Sequence, residues 1–390
     1  METYKLSDLC EILDSKRKPL SALQRAKKQG IYPYYGAQGI IDHLDEYLLD
    51  GEYLLVAEDG ANLETRNQPI ANIAKGKIWV NNHAHVLGSN GKCPLNLLGF
   101  ILNNMNISPY VTGCAQPKLN QENLRNIEIE LPSHIDSIAS ILSSLDRKIE
   151  LNNKINADLE EMAQAIFKNW FVDFEPFKDG KFVDSELGMI PEGWKVVTLD
   201  DLTSKFGTGL NPRKNFVLGH GNNYYVTIKN MGNNRIYLND RCDKVDDEAL
   251  AKINKRSKLQ KGDLLFSGIG TIGRVAMIVD DPINWNTSES VFNMHPIDTV
   301  SSEFIYLLLL SDKFQQYVQQ NAQGGVQQGI RMASLKAFQF AIPNDLKLFD
   351  NLVKPIISKV KSNDKENDTL SLLRDTLLPR LMSGEIEIPE

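Results

Sequence analysis

The chain has 390 residues, of which 42% are hydrophobic and 24% are charged, as in ordinary folded proteins, and its length suggests two or three domains. No run of 18 apolar residues occurs, the start Met1–Cys10 lacks the features of a secretory signal, and four widely spaced cysteines form no C-x-x-C pair. We therefore expect a cytoplasmic protein with reduced thiols and no membrane span. The net charge of −7 argues at first against nucleic acid as a partner.

The first domain, predicted over residues 1–133, has short strand-like runs separated by glycine, asparagine and proline. Two such runs are Tyr53–Ala57 and Lys77–Val80. In a third run, Ile127–Leu131, apolar and charged residues alternate, which is typical of a half-buried strand, and Pro132 ends it. These features predict a globular α/β domain.

Residues 134–172 predict one long helix whose apolar residues recur at spacings of three and four, the heptad pattern of a coiled coil. Two seam positions are asparagine, and a buried asparagine fixes the register of paired helices at a cost in stability. A helix of about 35 residues is on the order of 50 Å long. The seam predicted for this helix and for a later copy of it comprises Leu145, Ile149, Asn152, Asn156, Leu159, Ile356, Val360, Asn363, Asn367 and Leu370.

The remaining residues predict a linker, a second globular domain and a second helix. Residues 173–192 combine proline, glycine and charge, as linkers do, and the second domain follows over residues 193–343. The distal helix and a short tail occupy residues 344–390. Pro355 lies inside the distal helical pattern, so we expect a kink or a helix start there.

The sequence repeats itself over a long period. A shift of 211 residues places Gly113–Trp170 on Gly324–Leu381 without a gap, and both asparagines of the first seam fall on asparagines of the second. The period exceeds the roughly 20–50 residues of a solenoid unit, so it indicates a duplicated domain with its helix. Two helices with polar residues at matching heights most simply pack together. The expected architecture is α+β with an internal pseudo-two-fold repeat, and two similar surfaces fit a two-part ligand.

The acidic residues are unevenly distributed along the chain. Asp and Glu outnumber Lys and Arg by 12 to 6 in residues 134–192, but the count is 15 to 13 in residues 1–133. In residues 193–343 the basic residues prevail by 17 to 14. Binding to DNA requires a positive face and not a positive protein, so the net charge does not exclude a DNA partner.

Basic clusters stand near polar and aromatic loops in both halves. A single cluster of this kind is more often a solvated face, but Lys and Arg hold phosphates, while Arg, Asn and Gln read base edges. On this basis the predicted DNA-binding residues are Lys16, Arg17, Lys18, Lys75, Lys77, Asn81, Asn82, Arg213, Lys214, Asn222, Asn223, Lys255, Arg256, Lys258, Arg274, Gln327, Gln328 and Arg331.

Two motifs raise the possibility of a cofactor-dependent enzyme. Gly268–Gly273 matches G-x-G-x-x-G, but a dinucleotide site needs a helix next, and the β-branched run Arg274–Val279 follows instead. We therefore expect a glycine-rich turn between two strands. Ile107–Tyr110 is faintly similar to the active-site loop of adenine methyltransferases, but the second proline and a glycine-rich S-adenosylmethionine loop are missing. Neither motif predicts catalysis.

Two further groups of residues raise the possibility of a metal site or a nuclease. His83 and His85 alternate on a predicted strand and could bind a metal with Cys93 or Cys114, but no second ligand pair has metal spacing. Asp173–Lys178 has the carboxylate, carboxylate, lysine order that a nuclease could use, but it lacks flanking strands. We predict no metal and no catalytic residue in this chain.

Five segments carry a resemblance that covers the whole chain. They are Ala165–Pro176, Gly188–Trp194, Gly209–Pro212, Lys261–Ser267 and Leu377–Ile386. Together with the duplicated layout, these segments resemble the specificity (S) subunit of type I restriction–modification systems.

The resemblance implies a non-catalytic DNA reader. Each globular half would be a target recognition domain that reads one part of a bipartite, asymmetric site in double-stranded DNA. The two long helices would pack antiparallel as a coiled-coil spacer between the half-sites. They would also bind two methyltransferase (M) subunits, which carry S-adenosylmethionine, and restriction (R) subunits using ATP and Mg would join them. The complex would methylate adenine or cleave DNA, and this chain would hold no cofactor.

Two other functions remain open at the level of the sequence. One is a coiled-coil scaffold that organises partners without direct DNA readout, and the other is a self-sufficient enzyme. Neutralising Arg213, Lys255 or Arg256 would leave DNA binding intact if the chain were only a scaffold. If the helices act as a spacer, inserting a heptad into both, after Leu145 and after Ile356, is predicted to lengthen the gap between half-sites.

Overall fold

The computed structural model describes residues 2–113, 116–239, 241–325 and 328–386. Cys114 and Gln327, both named above as candidate site residues, lie outside the described residues. The chain divides into two compact units, the first formed by Met1–Leu151 with Glu366–Glu390 and the second by Asn152–Lys365. Each unit contains one globular domain and a segment of both long helices. In the described part, no helix has the length and apolar character needed to cross a membrane.

The first globular domain is built around a six-stranded sheet of order β2-β7-β5-β6-β3-β4, beside a two-stranded sheet of β1 and β8. Its strands are β1 Glu2–Lys5, β2 Cys10–Ile12, β3 Gln29–Gly36, β4 Gly39–Leu44, β5 Leu49–Ala57, β6 Ala71–Val80, β7 Ala84–Ser89 and β8 Glu128–Leu131. Its helices are α1 Leu6–Leu9, α2 Ala22–Ala26, α3 Asn62–Thr65, α4 Leu95–Asn104 and α5 Gln121–Arg125. The 3₁₀ turns are Asp14–Lys16 and Ser108–Tyr110.

The core of this domain lies between the sheet and α4. Leu54 and Val56 of β5 point to the same side, as alternate strand residues do, and join one buried cluster with Leu98 and Leu102 of α4. The cluster also contains Cys10 and Cys93, and burial raises the pKa of both thiols to about 12. Buried thiols of this kind are unreactive, in keeping with the predicted reduced state.

The second globular domain follows the first long helix, α6 Ile135–Phe171, and the 3₁₀ turn Glu175–Phe177. Its strands are β9 Phe182–Val183, β10 Ile190–Pro191, β11 Lys195–Thr198, β12 Thr203–Thr208, β13 Asn223–Val226, β14 Met231–Gly232, β15 Arg235–Ile236, β16 Asp243–Val245, β17 Leu264–Ser267, β18 Val275–Met277, β19 Trp285–Thr287, β20 Val291–Pro296 and β21 Gln339–Ile342. Its helices are α7 Asp247–Ser257, α8 Ser302–Leu310, α9 Asp312–Asn321 and α10 Met332–Lys336, with a 3₁₀ turn at Ile228–Asn230. The second long helix is α11 Lys347–Met382.

The two domains repeat one strand plan. The order β12-β20-β17-β18 in the second corresponds to β2-β7-β5-β6 in the first, and the pair β11-β21 corresponds to β1-β8. In addition, β13 pairs in parallel with β19, as β3 does with β6. The Gly268–Gly273 segment joins the antiparallel strands β17 and β18, so the prediction of a glycine-rich turn between two strands is confirmed. Gly270 and Gly273 have φ angles of +84° and +95°, which favour glycine.

Within each unit the two long helices run antiparallel. In the first unit, Arg374 Nη1 lies 2.7 Å from Asp146 Oδ1, and Lys148 Nζ lies 3.4 Å from Glu366 Oε2. In the second unit, Asn156 Nδ2 donates to Asp364 Oδ1 at 3.0 Å. Farther along α6 and closer to the start of α11, the Trp170 and Phe349 ring centres lie 5.8 Å apart, which fixes the opposite chain directions.

Of the two alternatives predicted at Pro355, a kink or a helix start, the helix start was wrong, because α11 begins at Lys347 and continues through Pro355. Proline removes the amide donor to the carbonyl of the residue four positions earlier, here Asn351. Both Pro355 and Asn351 are exposed, so water can bond the unpaired carbonyl. The proline therefore costs less here than it would on the buried face of the helix.

A polar cluster joins the second domain to the helices of its unit. The β14–β15 hairpin turns through Asn233 and Asn234, whose φ angles are 46° and 55°. Asn234 donates to the Glu160 carboxylate of α6 at 3.2 Å, and its carbonyl accepts from Lys361 Nζ of α11 at 3.1 Å. Burial lowers the pKa of Lys361 and raises that of Glu160. The Asp364 and Glu160 carboxylates favour the charged form of Lys361, and one turn of the domain bonds both helices.

Aromatic rings fasten the predicted linker to the end of α6. Trp194 lies 5.6 Å from Phe171, 5.3 Å from Phe174 and 5.0 Å from Phe177, measured between ring centres. Phe171 also contacts Phe349 of α11, at 4.8 Å in an edge-to-face geometry. These contacts explain why the segment after α6 is rich in aromatic residues.

We expect Phe171→Ala to lower the free energy of unfolding by roughly 3–5 kcal/mol, because the ring is 7% exposed and its loss leaves a cavity. Urea unfolding of the full chain would measure the change. Val172→Ala is the matched control, since that neighbouring side chain is 42% exposed and should change stability by less than about 0.5 kcal/mol. Equal losses for both variants would show that the aromatic cluster does not stabilise the unit.

Candidate nucleic-acid interface

Three loops meet at one edge of the sheet in the first domain. They are residues 58–61 after β5, residues 81–83 before β7, and residues 112–118, of which 114 and 115 lie outside the described residues. The Glu58 amide donates to the His83 carbonyl at 2.9 Å, and the Gly60 amide donates to the Pro117 carbonyl at 3.1 Å. The Leu119 amide donates to the Glu58 carbonyl at 2.8 Å. We call these three segments the first loop edge.

The second domain repeats this arrangement with residues 268–273, 288–290 and 323–329, of which 326 and 327 lie outside the described residues. The Gly268 amide donates to the Ser290 carbonyl at 2.9 Å, and the Gly270 amide donates to the Gln328 carbonyl at 2.8 Å. The Ile330 amide donates to the Gly268 carbonyl at 2.9 Å. These three hydrogen bonds have the same topology as those of the first loop edge, so this set is the second loop edge.

The basic cluster at residues 16–18 borders the first loop edge. The Lys18 amide donates to the Val80 carbonyl at 3.1 Å, which places this segment beside Asn81 and Asn82. The side chains of Lys16, Lys18 and Asn82 are exposed. Asn81 is buried, and its side-chain oxygen accepts from the His83 amide at 2.8 Å, so it shapes the loop. The structure thus joins a predicted phosphate-binding cluster to the predicted base reader Asn82.

Arg17 of the same cluster points into the protein. Its guanidinium is 15% exposed, lies 2.5 Å from Glu58 Oε2 and donates to the Ala84 carbonyl at 3.0 Å. It also lies 3.2 Å from Asp14 Oδ2, which itself lies 2.7 Å from His85 Nδ1. The pKa of Asp14 is lowered because the bonds from His85 and Arg17 outweigh its burial. The Arg17 guanidinium therefore stabilises the first loop edge through these hydrogen bonds and ion pairs.

Among the described residues, one group has the composition of a metal site. Asp14, Glu58 and His85 place one ligand atom each within 4.8 Å of one another. Arg17 and Lys118 already supply cations to these carboxylates, with Lys118 Nζ 3.2 Å from Glu58 Oε1. His83, the other predicted candidate, lies 2.7 Å from Asp59. Both histidines are thus hydrogen-bonded to carboxylate oxygens. The negative charges of Asp14 and Glu58 are compensated by Arg17 and Lys118.

Lys75 and Lys77 lie on β6, the strand that leads to Asn81. Both side chains are exposed. Lys77 Nζ lies 4.8 Å from the ring centre of Tyr47 and 5.9 Å from that of Tyr32, a cation–π arrangement. Lys75 Nζ lies 3.4 Å from Glu52. At about 3.3 Å per residue, Lys77 is roughly 10 Å along the strand from Val80.

In the second domain, the structure brings two predicted basic clusters together. Arg213 and Lys214 lie on the segment after β12, and Lys255 and Arg256 lie in the last turn of α7. Leu210 and Phe216 of that segment pack against the apolar side of α7. The Arg256 guanidinium also donates to Thr208 Oγ1 at 3.4 Å. All four basic side chains are exposed, as is Lys258, and they form one surface that we call the α7 basic face.

Two other residues that were predicted to bind DNA form hydrogen bonds inside the second domain. Arg274 Nη1 donates to the carbonyls of Ile228 and Met231 at 2.8 and 2.5 Å. Asn223 is buried and donates to Asp247 Oδ1 at 2.8 Å. These side chains support the fold, whereas the predicted residues Asn222, Gln328 and Arg331 are exposed.

The chain is similar in sequence to one known family of proteins. The family model described as the type I restriction modification DNA specificity domain matches residues 1–161 and 191–367. The chain belongs to this family. The type I restriction enzyme MjaIX specificity subunit of Methanocaldococcus jannaschii is 29% identical over 71% of this chain and 65% of its own length. The HindI specificity subunit of Haemophilus influenzae is 26% identical over 69% of this chain and 71% of its own length.

A solved structure supports the fold. The crystal structure of a type I restriction–modification S subunit from M. genitalium aligns with a TM-score of 0.56 at 15% identity. The alignment covers 100% of this chain and 96% of that one. Specificity subunits are non-catalytic members of type I restriction–modification systems, and enzymatic activity belongs to other subunits.

The helix seam of this chain is polar at its centre. All four predicted seam asparagines, Asn152, Asn156, Asn363 and Asn367, are buried. Asn363 Nδ2 donates to Asn156 Oδ1 at 2.8 Å, and Asn156 Nδ2 lies 3.3 Å from the Val360 carbonyl. Paired amides of this kind penalise a shift of one helix along the other, because a shift leaves them unpaired.

The apolar seam residues are less buried than the asparagines. Val360 is buried, whereas Leu145, Ile149, Leu159, Leu370 and Ile356 are half-buried. At this height of α11 the buried residue is Ile357, one position after the predicted Ile356. A straight helix drifts by about 20° per heptad, so a strict heptad pattern misplaces residues far from its centre.

The two long helices also expose apolar residues at matching positions. Met162 of α6 is 52% exposed and Leu373 of α11 is 44% exposed. The repeat offset of 211 residues relates the two. The repeat therefore places an exposed apolar side chain at the same position of both long helices.

Proposed function

We propose that each globular domain reads one part of a bipartite, asymmetric DNA site, while the two long helices set the spacing between the parts. The observation that carries this proposal is the loop edge, built alike in both domains and bordered by exposed basic side chains in each. Basic side chains position DNA by its phosphates, and the adjoining polar loops are suited to base edges.

We also propose that the helices bind two methyltransferase subunits and thereby direct adenine methylation, or restriction when restriction subunits join. S-adenosylmethionine, ATP and Mg would be held by these partners, and the complex would work in the cytoplasm. The matched apolar positions Met162 and Leu373 support the count of two.

Long-read methylation mapping tests the proposed function in cells that make the methyltransferase partner, with and without this chain. We expect a split methyladenine motif that disappears with the chain. A methylation pattern that stays the same while the partner is active would favour a scaffold without DNA readout.

Neutralising the α7 basic face tests DNA contact directly. We expect the double variant Arg213→Gln, Lys255→Gln to weaken DNA binding by the assembled complex for all sequences alike. The slope of log affinity against log salt should fall by roughly 0.9 for each phosphate that the variant no longer binds. Titrations between low and moderate salt would measure it. Lys347→Gln, at an exposed lysine of α11, is the control, and unchanged binding by the double variant would support the scaffold alternative.

A further inference from the structure

The two loop edges hold different side chains at one equivalent position. The Asn81 amide donates to the Tyr35 carbonyl at 3.0 Å, and the Ser288 amide donates to the Val226 carbonyl at 2.8 Å. Tyr35 and Val226 occupy the same place on the parallel strands β3 and β13. The next residue is Asn82 in the first domain and Glu289 in the second.

Backbone hydrogen bonds fix this position on both sides. The residue before it is bonded to the parallel strand, and the carbonyl of the residue after it accepts from Glu58 or Gly268 at 2.9 Å. Asn82 and Glu289 therefore have well-defined backbone positions, while Asn82 is exposed and Glu289 is partly exposed. A group on a rigid support loses little conformational entropy on binding, which favours specific recognition.

Internal donors orient the carboxylate of Glu289. Asn211 Nδ2 donates to Oε1, and the Tyr225 hydroxyl, which donates to the Leu210 carbonyl at 2.8 Å, also lies 3.3 Å from Oε2. Burial, together with this carboxylate, raises the pKa of the Tyr225 hydroxyl well above its usual range, so it remains a donor. A carboxylate offers about four acceptor positions, so Glu289 keeps capacity for a donor from outside.

The segment that bonds Glu289 also belongs to the α7 basic face. Asn211, which bonds it, is two residues before Arg213 on the same segment. Thr208, earlier on that segment, accepts from Arg256. Asn82 has the same kind of setting, because Lys18 is bonded to the strand end just before it. Each residue thus stands where a phosphate-bound duplex would present base edges.

We propose that Asn82 and Glu289 are the base-discriminating positions of the first and second domains. Asn82 reads an adenine through its N6 and N7 atoms, and Glu289 accepts a hydrogen bond from the N4 amino group of a cytosine. Cytosine fits Glu289 better than adenine, because adenine sets the acceptor N7 beside its amino group and a carboxylate has no donor for it. The inference rests on the proposed function of the two domains.

Methylation mapping of variants tests this inference in cells that make the methyltransferase partner. For Glu289→Gln we expect one cytosine position of one half-site to lose roughly ten- to hundredfold of its discrimination, with the other half-site unchanged. For Asn82→Ala we expect the same loss at one adenine position of the opposite half-site. Controls are Glu303→Gln, at a half-buried glutamate of α8, and Asn104→Ala, at an exposed asparagine of α4.

Tyr225→Phe separates base reading from a purely structural role. The variant keeps the ring, whose centre lies 5.5 Å from that of Phe216, but removes the hydroxyl that bonds the Leu210 carbonyl and lies beside Glu289 Oε2. We expect partial relaxation at the same base position that Glu289→Gln affects, and at no other. A structural defect would instead reduce methylation at all sites alike.

The outcomes separate the inference from the function it rests on. If variants with normal methylation levels keep the wild-type motif at every base, Asn82 and Glu289 do not discriminate bases, although the chain still selects the site. If even the wild-type chain selects no motif, the proposed function itself fails. Asn82 is exposed and its side chain supports no element, so Asn82→Ala carries the test even if Glu289→Gln does not fold.

Discussion

A chain that carries both Met162→Asp and Leu373→Asp is expected to fold normally and to bind no methyltransferase subunit. Both side chains are about half exposed, so aspartate should be tolerated in the free chain. In an interface, each aspartate would remove an apolar side chain and add a desolvated charge, costing roughly 2 kcal/mol or more per site. The complex should therefore weaken at least about thirtyfold at each helix.

The variants Met162→Asp and Leu373→Asp, each made alone, test whether each position serves a separate methyltransferase subunit. Met162 and Leu373 are related by the repeat, so each should serve one partner copy. We expect Met162→Asp alone to yield complexes with one methyltransferase subunit, and Leu373→Asp likewise. Native mass spectrometry of the purified assembly would count the subunits.

The repeat supplies a matched control for these variants. Ala157 is exposed on α6, and the equivalent position of α11 already carries an aspartate, Asp368. Ala157→Asp therefore adds the same charge to a helix surface that tolerates it, and should leave two partners bound. If the double variant also keeps two subunits, the partner contacts lie elsewhere on the chain.

The long helices could be predicted from the sequence because their signal is local. Heptad spacing and the repeated asparagines predicted a helix over residues 134–172, and α6 spans Ile135–Phe171. The helix start that Pro355 suggested was wrong, because the effect of a proline depends on whether the freed carbonyl meets water, which is a tertiary property. The glycine-rich turn was predictable because β-branched residues follow it, where a dinucleotide fold requires a helix.

The candidate interface was only partly predictable, because the sequence does not show which polar groups the fold itself uses. Arg17 and Arg274 look like DNA contacts in sequence, yet their guanidinium groups hold carboxylates and backbone carbonyls inside the domains. Glu289 was missed for the opposite reason. Its partners Asn211 and Tyr225 are 78 and 64 residues away, and it has no basic neighbour in sequence.

The repeat itself could have revealed Glu289. Leu6–Leu9 matches Leu199–Leu202 at an offset of 193 residues, whereas the ends of the two copies match at 211. An alignment at either fixed offset therefore loses the residues between. Strand pairing restores that alignment, because β3–β6 and β13–β19 are both parallel pairs. When the two copies are aligned by strand order, and not by a constant shift, Asn82 falls opposite Glu289.

Lengthening both helices at one level is expected to change the spacing of the DNA site and nothing else. Because the helices pair antiparallel, the two heptads must be inserted at positions that face each other, and not at positions related by the repeat. Asp146 pairs with Arg374, so an insertion beside Asp146 is matched by one beside Arg374, and not by the repeat-related position after Ile356. Seven residues that continue the heptad pattern would be added after Asp146 and before Arg374.

Seven helical residues add about 10 Å, which corresponds to roughly three base pairs at about 3.4 Å each. We therefore expect a methylated motif with unchanged half-sites and a gap longer by about three base pairs, measured by long-read methylation mapping. The same heptad placed in the linker after the exposed Asp179 should leave the gap unchanged.

An insertion in α6 alone provides the opposite control. Leu378 and Leu381 of α11 are buried in one cluster with Ile138 and Leu142 of α6 and with the core of the first domain. Moving one helix by about 10 Å withdraws these leucines, at roughly 2–5 kcal/mol each, and methylation should be lost. If the doubly lengthened chain instead methylates the original motif with its original gap, the helices do not set the spacing. The distance between the half-sites would then be fixed by partners that grip the DNA independently of helix length.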